Sequence, residues 1–170
     1  MKKHAIDFLL SGKVIITTFV VALCLYTWIY ISYNQPEHIE YKYNGIKYQA
    51  GNPQNVETIN IEIKGKYVKE LFVKEVEFFG TIKVGEKVFS CNPIKFNRDK
   101  MGELKSYGTI YVSDEFEKLT IEILEPTHNG GYSFSLRKGW LISAPCNSRK
   151  EAIEISNALM KRLYKGLVIE

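Results

Sequence analysis

The chain has 170 residues, 45% of them hydrophobic, with 23 Lys+Arg against 19 Asp+Glu. That length holds one ordinary domain and an appendage, and it excludes a full (β/α)₈ barrel, which takes about 250 residues. Charged residues at 25% and aromatics at 13% argue against disorder, and a net charge of +4 is too small to point to nucleic acid.

The first 13 residues carry Lys2, Lys3 and Lys13 against the single acid Asp7. Val14 to Ile31 then form an uncharged, strongly apolar run of 18 residues. At about 1.5 Å per residue such a helix spans roughly 27 Å, close to the ~30 Å hydrocarbon core of a bilayer. The run predicts a transmembrane helix over residues 14–33. Tyr26, Trp28, Tyr30 and Tyr33 cluster at its C-terminal end, where amphipathic rings favour the membrane–water interface. Lys13 anchors the other end, its stem lying along the helix while the ammonium reaches the headgroups. Lys and Arg resist translocation, so the N-terminal tip is expected in the cytoplasm and the remainder outside the membrane.

Other readings of this run fit less well. A cleaved signal peptide has an apolar region of about 7–15 residues followed by a small-x-small site; neither is seen here. Lipidation at Cys24 would need a small residue before it, and Leu23 stands there. A buried core helix fits less well with a run so uniformly apolar and with flanks so biased in charge.

Residues 34–38, Asn-Gln-Pro-Glu-His, read as a linker, and residues 39–170 as one extracytoplasmic α+β domain. Ile39, Tyr41 and Tyr43 alternate with Glu40 and Lys42, and Ile59, Ile61 and Ile63 with Asn60, Glu62 and Lys64. Each pattern puts apolar groups on one face of a strand. Thr81–Val84 and Lys87–Phe89 flank Gly85-Glu86, which suits a type II′ hairpin. Further strands are predicted over 107–112, 119–124, 132–136 and 140–144. Turns are expected at Asn44-Gly45, Asn52-Pro53, Asn92-Pro93, Glu125-Pro126, Asn129-Gly130-Gly131 and Lys138-Gly139. Short strands without intervening helices imply a mainly antiparallel sheet. Residues 96–106 lack alternation and read as a long loop, a natural binding element.

The chain closes on an amphipathic helix. Ser148-Arg-Lys-Glu151 has capping-box spacing, and Gly166 is the expected stop. Ala152, Ile153, Ile155, Leu159, Met160, Leu163 and Tyr164 fill one half of the cylinder, which is expected to cover the sheet.

Candidate chemistry is sparse. Cys91 and Cys146 each follow a predicted strand at a turn, and outside the cell they are candidates for a disulfide worth about 4 kcal/mol from loop-closure entropy; two buried thiols are the alternative. Cys24 is an apolar filler. The motifs of metal ligation, phosphate cradling and nucleophilic catalysis are absent. His128 lies in a turn, Glu122 alternates with Ile121 and Ile123 on a solvent face, and Asp114-Glu115 lie in a loop, so no acid pair or general base stands out. No catalytic residue, cofactor or metal site is predicted. Lys outnumbers Arg 19 to 4 and Ile is abundant, a composition like that of AT-rich bacterial genomes. The expectation is a single-pass membrane protein, held by a signal-anchor, that presents a binding domain. Its partners would be the lipid bilayer and another envelope or membrane protein, not nucleic acid. A tethered envelope hydrolase is the alternative.

Overall fold

The two apolar periodicities of the sequence become two kinds of element. In this computed structural model the described residues are 2–69, 75–97, 100–104, 107–161, 163, 164, 166, 168 and 169, with side chains described from residue 12 onward. The uncharged run lies in helix α1 (Lys2–Tyr33). Its segment Gly12–Tyr33, 22 residues of mean hydropathy 2.2, is long and apolar enough to cross a membrane, and the rest of the protein covers none of it. The polar atoms within it look after themselves. The hydroxyls of Thr17 and Thr18 donate to the carbonyls of Lys13 and Val14 at 2.8 and 2.9 Å, and that of Thr27 donates to Leu23.

After Asn34-Gln35-Pro36 the alternating segments build ten strands: β1 (Glu37–Gln49), β2 (Asn52–Lys69), β3 (Val76–Val84), β4 (Lys87–Phe96), β5 (Met101–Leu104), β6 (Gly108–Val112), β7 (Leu119–Ile123), β8 (Glu125–Pro126), β9 (Tyr132–Ser133) and β10 (Trp140–Ala144). Eight of them form one antiparallel sheet in the order β4-β3-β2-β1-β10-β7-β6-β5; β8 and β9 make a separate small hairpin. Gly85 has φ +60° and the hairpin closes on Val84↔Lys87, with a positive φ at Gly85 alone as the type II′ turn requires.

The sheet curls until its two edge strands face each other. A Cβ on Gly102 of β5 would lie 2.7 Å from Ile94 Cγ2 and 3.0 Å from Phe96 Cε1 of β4. The result is nearly a barrel. Odd-numbered residues of β1 turn inward: Ile39, Tyr41 and Tyr43 join Ile61, Ile63, Phe78, Ile82, Ile121 and Ile142 in the interior core. Even-numbered Ile46 and Tyr48 turn outward and are buried beneath helix α2 (Arg149–Met160) with Leu141, Ala152, Ile155 and Met160. Burying one such aliphatic or aromatic side chain contributes about 1.5–3 kcal/mol, so both faces help hold the sheet.

One end of the barrel is plugged. Phe116, in a 3₁₀ turn (Asp114–Phe116), meets Phe96, Phe78 and Tyr67 at centroid distances of 5.1, 5.3 and 5.7 Å. Its backbone sits at φ +61°, beside Glu115 at +58°. That region is unfavourable for a bulky residue, and the aromatic contacts offset it.

Several predicted turns and ends differ in the structure. Asn44-Gly45 is not a turn: β1 runs straight through it, because a Cβ at Gly45 would come within 2.7 Å of the Ser143 carbonyl oxygen and glycine is what lets β10 lie close. Asn92-Pro93 lies inside β4, an edge strand, where the register with β3 shifts between Cys91 and Ile94, and proline is tolerated at such a bulge. The expected loop 96–106 contains β5, whose short Met-Gly-Glu-Leu run shows no clear alternation. The strand expected over 132–136 is two residues long. Helix α2 ends at Met160 rather than near Gly166, with Lys161 as its C-cap.

Candidate functional site

The barrel end opposite the Phe116 plug is open. Glu37 of β1 pairs with Tyr67 near the plugged end, and Lys47 is ten residues further along, roughly 33 Å of strand at about 3.3 Å per residue. Inward alternation continues to this rim, but the residues become polar. Lys47 and Glu57 are register partners and form an ion pair at 3.0 Å. The Lys47 ammonium also lies 5.1 Å from the Trp140 ring centroid, and that of Lys87 lies 4.4 Å from Tyr107. Tyr107 in turn packs on Phe89 at 4.9 Å. Ile59, Val84 and Ile123 are among the lining residues of a concavity of about 990 Å³. Its acids Glu57, Glu62 and Glu86 balance its bases Lys47, Lys83 and Lys87. It can hold a mixed polar and apolar surface, and the Lys47–Glu57 pair commits those two charges to each other.

A second concavity of about 630 Å³ follows the seam between β4 and β5, lined by Phe89, Pro93, Ile94 and Leu104 among others. The two-residue hairpin sets its chemistry. Lys87 exchanges backbone hydrogen bonds with Val84, so by alternation Val88 and Ser90 turn their N–H and C=O groups away from β3 and toward the seam. These are edge groups of the kind an added strand uses, and Pro93, with no N–H, ends the run.

The outer face buries several polar groups among its apolar ones. Ser156 of α2 is fully buried at the centre of the helix–sheet contact. Its Oγ lies 2.6 Å from Tyr48 Oη and 2.7 Å from Ser143 Oγ, and Ser143 Oγ is 2.9 Å from Thr120 Oγ1. Burial pushes the Tyr48 phenol up to about 12, against the hydrogen bonds from Ser156 and Ser143. With no base among them, these hydroxyls join helix to sheet and have no means of activating a nucleophile.

Glu122 corrects the expected solvent face: it is 3% exposed. Its Oε2 accepts a hydrogen bond from Tyr111 Oη at 2.8 Å, and its Oε1 has no partner. Desolvation raises the carboxyl's pKa, against the hydroxyls of Tyr111 and Tyr164, which favour the ionised form. The Tyr111 phenol is itself pushed up, first by burial and then by the nearby carboxylate. Alternation could not find this residue, because it reports that one face differs from the other and not that both are covered.

The remaining predicted residues are spread out. Cys91 and Cys146 carry no disulfide. Cys91 belongs to the interior core and Cys146 to the outer one, and β3, β2 and β1 separate β4 from β10. The sequence signal was two similar local settings, which do not place two thiols side by side. The Cys146 thiol donates to the Ser143 carbonyl at 3.0 Å, and burial raises its pKa, as expected of an inert structural thiol. Lys13, Tyr26, Trp28, Tyr30 and Tyr33 are all exposed along α1, with Tyr26 and Tyr30 stacked at 6.4 Å. His38 and His128 are exposed. Glu115 pairs with Lys69 at 3.5 Å and Asp114 with Lys100. Among the described residues no group of three or more His, Cys, Asp or Glu could hold a metal ion.

The class these observations define is an α+β protein: an apolar N-terminal helix joined to a nearly closed antiparallel barrel with one helix on its outer face. Comparison with known family models, curated proteins and solved structures returns no match.

Proposed function

We propose that this chain is a single-pass membrane protein that holds a barrel-shaped binding domain outside the membrane. One observation carries the reading: the Gly12–Tyr33 helix is strongly apolar, charged only at Lys13 near its start, and not buried by the rest of the described protein. In water such a surface has no stable place, and a bilayer supplies one. The flanking lysines favour a cytoplasmic N-terminus. Three residues separate the helix from β1, so the domain stays close to the lipid surface, which raises its effective concentration toward membrane-bound partners. The mouth around Lys47, Tyr107 and Trp140 opens at the barrel end away from the tether and is the surface best placed to meet a partner.

The test is protease digestion of intact cells expressing the full chain with a C-terminal tag. Loss of the tag without permeabilisation supports the reading. A tag protected in intact cells, or a full-length chain recovered in the soluble fraction without detergent, overturns it. In-cell crosslinking from a probe placed at Lys47 then reports the partner; crosslinks no richer than those from exposed Lys64, on the outer face of β2, would remove the mouth as the contact surface.

A further inference from the structure

Strand β4 is one edge of the sheet and β5 the other, and no ladder joins them among the described residues. The edges meet at one end of the seam, where Gly102 of β5 lies against Ile94 and Phe96 of β4. Nearer the mouth β4 is uncovered: Val88 is 62% exposed, and Ser90 is exposed beside it.

The hairpin register fixes what this uncovered stretch offers. Val84 and Lys87 form a hydrogen-bonded pair, so Phe89 bonds to Ile82 and Cys91 to Gly80, while Val88 and Ser90 aim their N–H and C=O groups at the seam. Side chains alternate in step. Phe89 turns inward, toward the side of the seam that Ile94 and Leu104 line. Lys87 marks the mouth end, its ammonium 4.4 Å from the Tyr107 ring centroid, and Glu103 is exposed toward the other end.

We propose that β4 takes up one more strand at this edge: an extended peptide segment of another protein, running antiparallel to β4. Three kinds of complementarity define the segment. Its backbone forms close pairs with Val88 and Ser90, four hydrogen bonds in all, in the antiparallel sense of every other pair in the sheet. Its inward positions carry small apolar side chains beside Phe89 and Leu104. Its C-terminal end carries an acid next to Lys87, and its N-terminal end a base next to Glu103.

A second copy of this chain is the other source of a strand, and its tether opposes it. β4 runs from the mouth, at Lys87, to the plugged end, at Phe96, where α1 also enters through Glu37. Antiparallel pairing of two β4 edges reverses one barrel against the other and sends the two α1 helices to opposite ends. Two copies held in one bilayer cannot pair in that way. This exclusion rests on the membrane reading above; the strand addition does not, and its test runs in detergent, where failure of one leaves the other standing.

The probe is the hexapeptide acetyl-Lys-Val-Thr-Val-Thr-Glu-amide, added to the isotope-labelled full chain in micelles and followed by NMR. The Val88 and Ser90 amide protons should move downfield and saturate, with half-saturation below about 1 mM, while the Phe89 amide, already bonded to β3, stays in place. N-methylation of both threonines should abolish the shifts, and Ser90→Pro, which removes one outward N–H and leaves the β3 bonds intact, should weaken binding at least about tenfold. The peptide with Lys and Glu exchanged should bind roughly threefold to tenfold more weakly, and the double variant Lys87→Glu/Glu103→Lys should reverse that preference. Unmoved Val88 and Ser90 amides overturn the proposal, as do equal binding of the N-methylated peptide and a preference that the charge exchange leaves unchanged. Amides already protected before peptide is added, and released on dilution, would show pairing between copies and overturn it too.

Discussion

The inner and outer faces of the sheet are buried to a similar degree by different chemistry. Inside the barrel the contacts are almost wholly apolar, with Phe78, Phe96, Ile61, Ile63 and Ile121 at or near zero exposure. On the outside, where α2 packs, Thr120, Glu122, Ser143 and Ser156 lie among the apolar groups. The inner face is held by non-directional transfer from water, which tolerates no lost volume. The outer face is held partly by directional bonds, whose loss leaves buried donors and acceptors without partners. Two faces of one sheet therefore fail in different ways.

The comparison predicts a ranked series. Phe78→Ala should cost the most, about 3–5 kcal/mol, because it empties the space against Phe116 inside a closed wall; denaturant unfolding of the full chain in micelles measures it. A loss under about 1 kcal/mol would show that the interior can collapse, which a filled barrel should not do. Ser156→Ala should cost about 1–3 kcal/mol, by removing one bond each from the buried Tyr48 and Ser143 hydroxyls. The double variant Tyr48→Phe/Ser156→Ala should recover part of that loss, since one of the hydroxyls that lost a bond is then gone; no recovery in the cycle would break the claim that bonds dominate there.

Ser148→Ala comes next, at about 1 kcal/mol, because the Ser148 side chain accepts the Glu151 N–H at 3.3 Å. Its effect should appear in exchange rates along the first turn of α2. Smallest is Lys47→Ala at the mouth, at most about 0.5 kcal/mol, since the ion pair to Glu57 is solvent-exposed. A larger thermal shift would mean that the rim braces the barrel and would weaken the case for it as a contact surface.

Legibility in the sequence followed how local each signal was. The apolar run over Val14–Ile31 could be read because 18 successive uncharged, mostly apolar residues are a signal carried by neighbours alone. Strand alternation located β1, β2, β3 and β7, and Gly85-Glu86 located a hairpin. The α2 cap matches its spacing, with Ser148 accepting the Glu151 N–H and the Glu151 carboxylate accepting the Asn147 N–H at 2.8 Å. Ser156 carries no signal in the sequence, and only its meeting with Tyr48, Ser143 and Thr120 gives it a role. Leu163, assigned to the covered half, is exposed because the helix stops before it.

The sequence by itself determined the uncovered apolar helix, the antiparallel strands and the amphipathic closing helix, since each is a periodicity of neighbouring residues and periodicity is local chemistry. Tertiary structure alone decided that the sheet curls until β4 meets β5, that Cys91 and Cys146 lie in different cores, and that Glu122 is buried on the outer face. Each of these depends on which distant segments share a face, and burial is a property of the assembled layers rather than of any one strand.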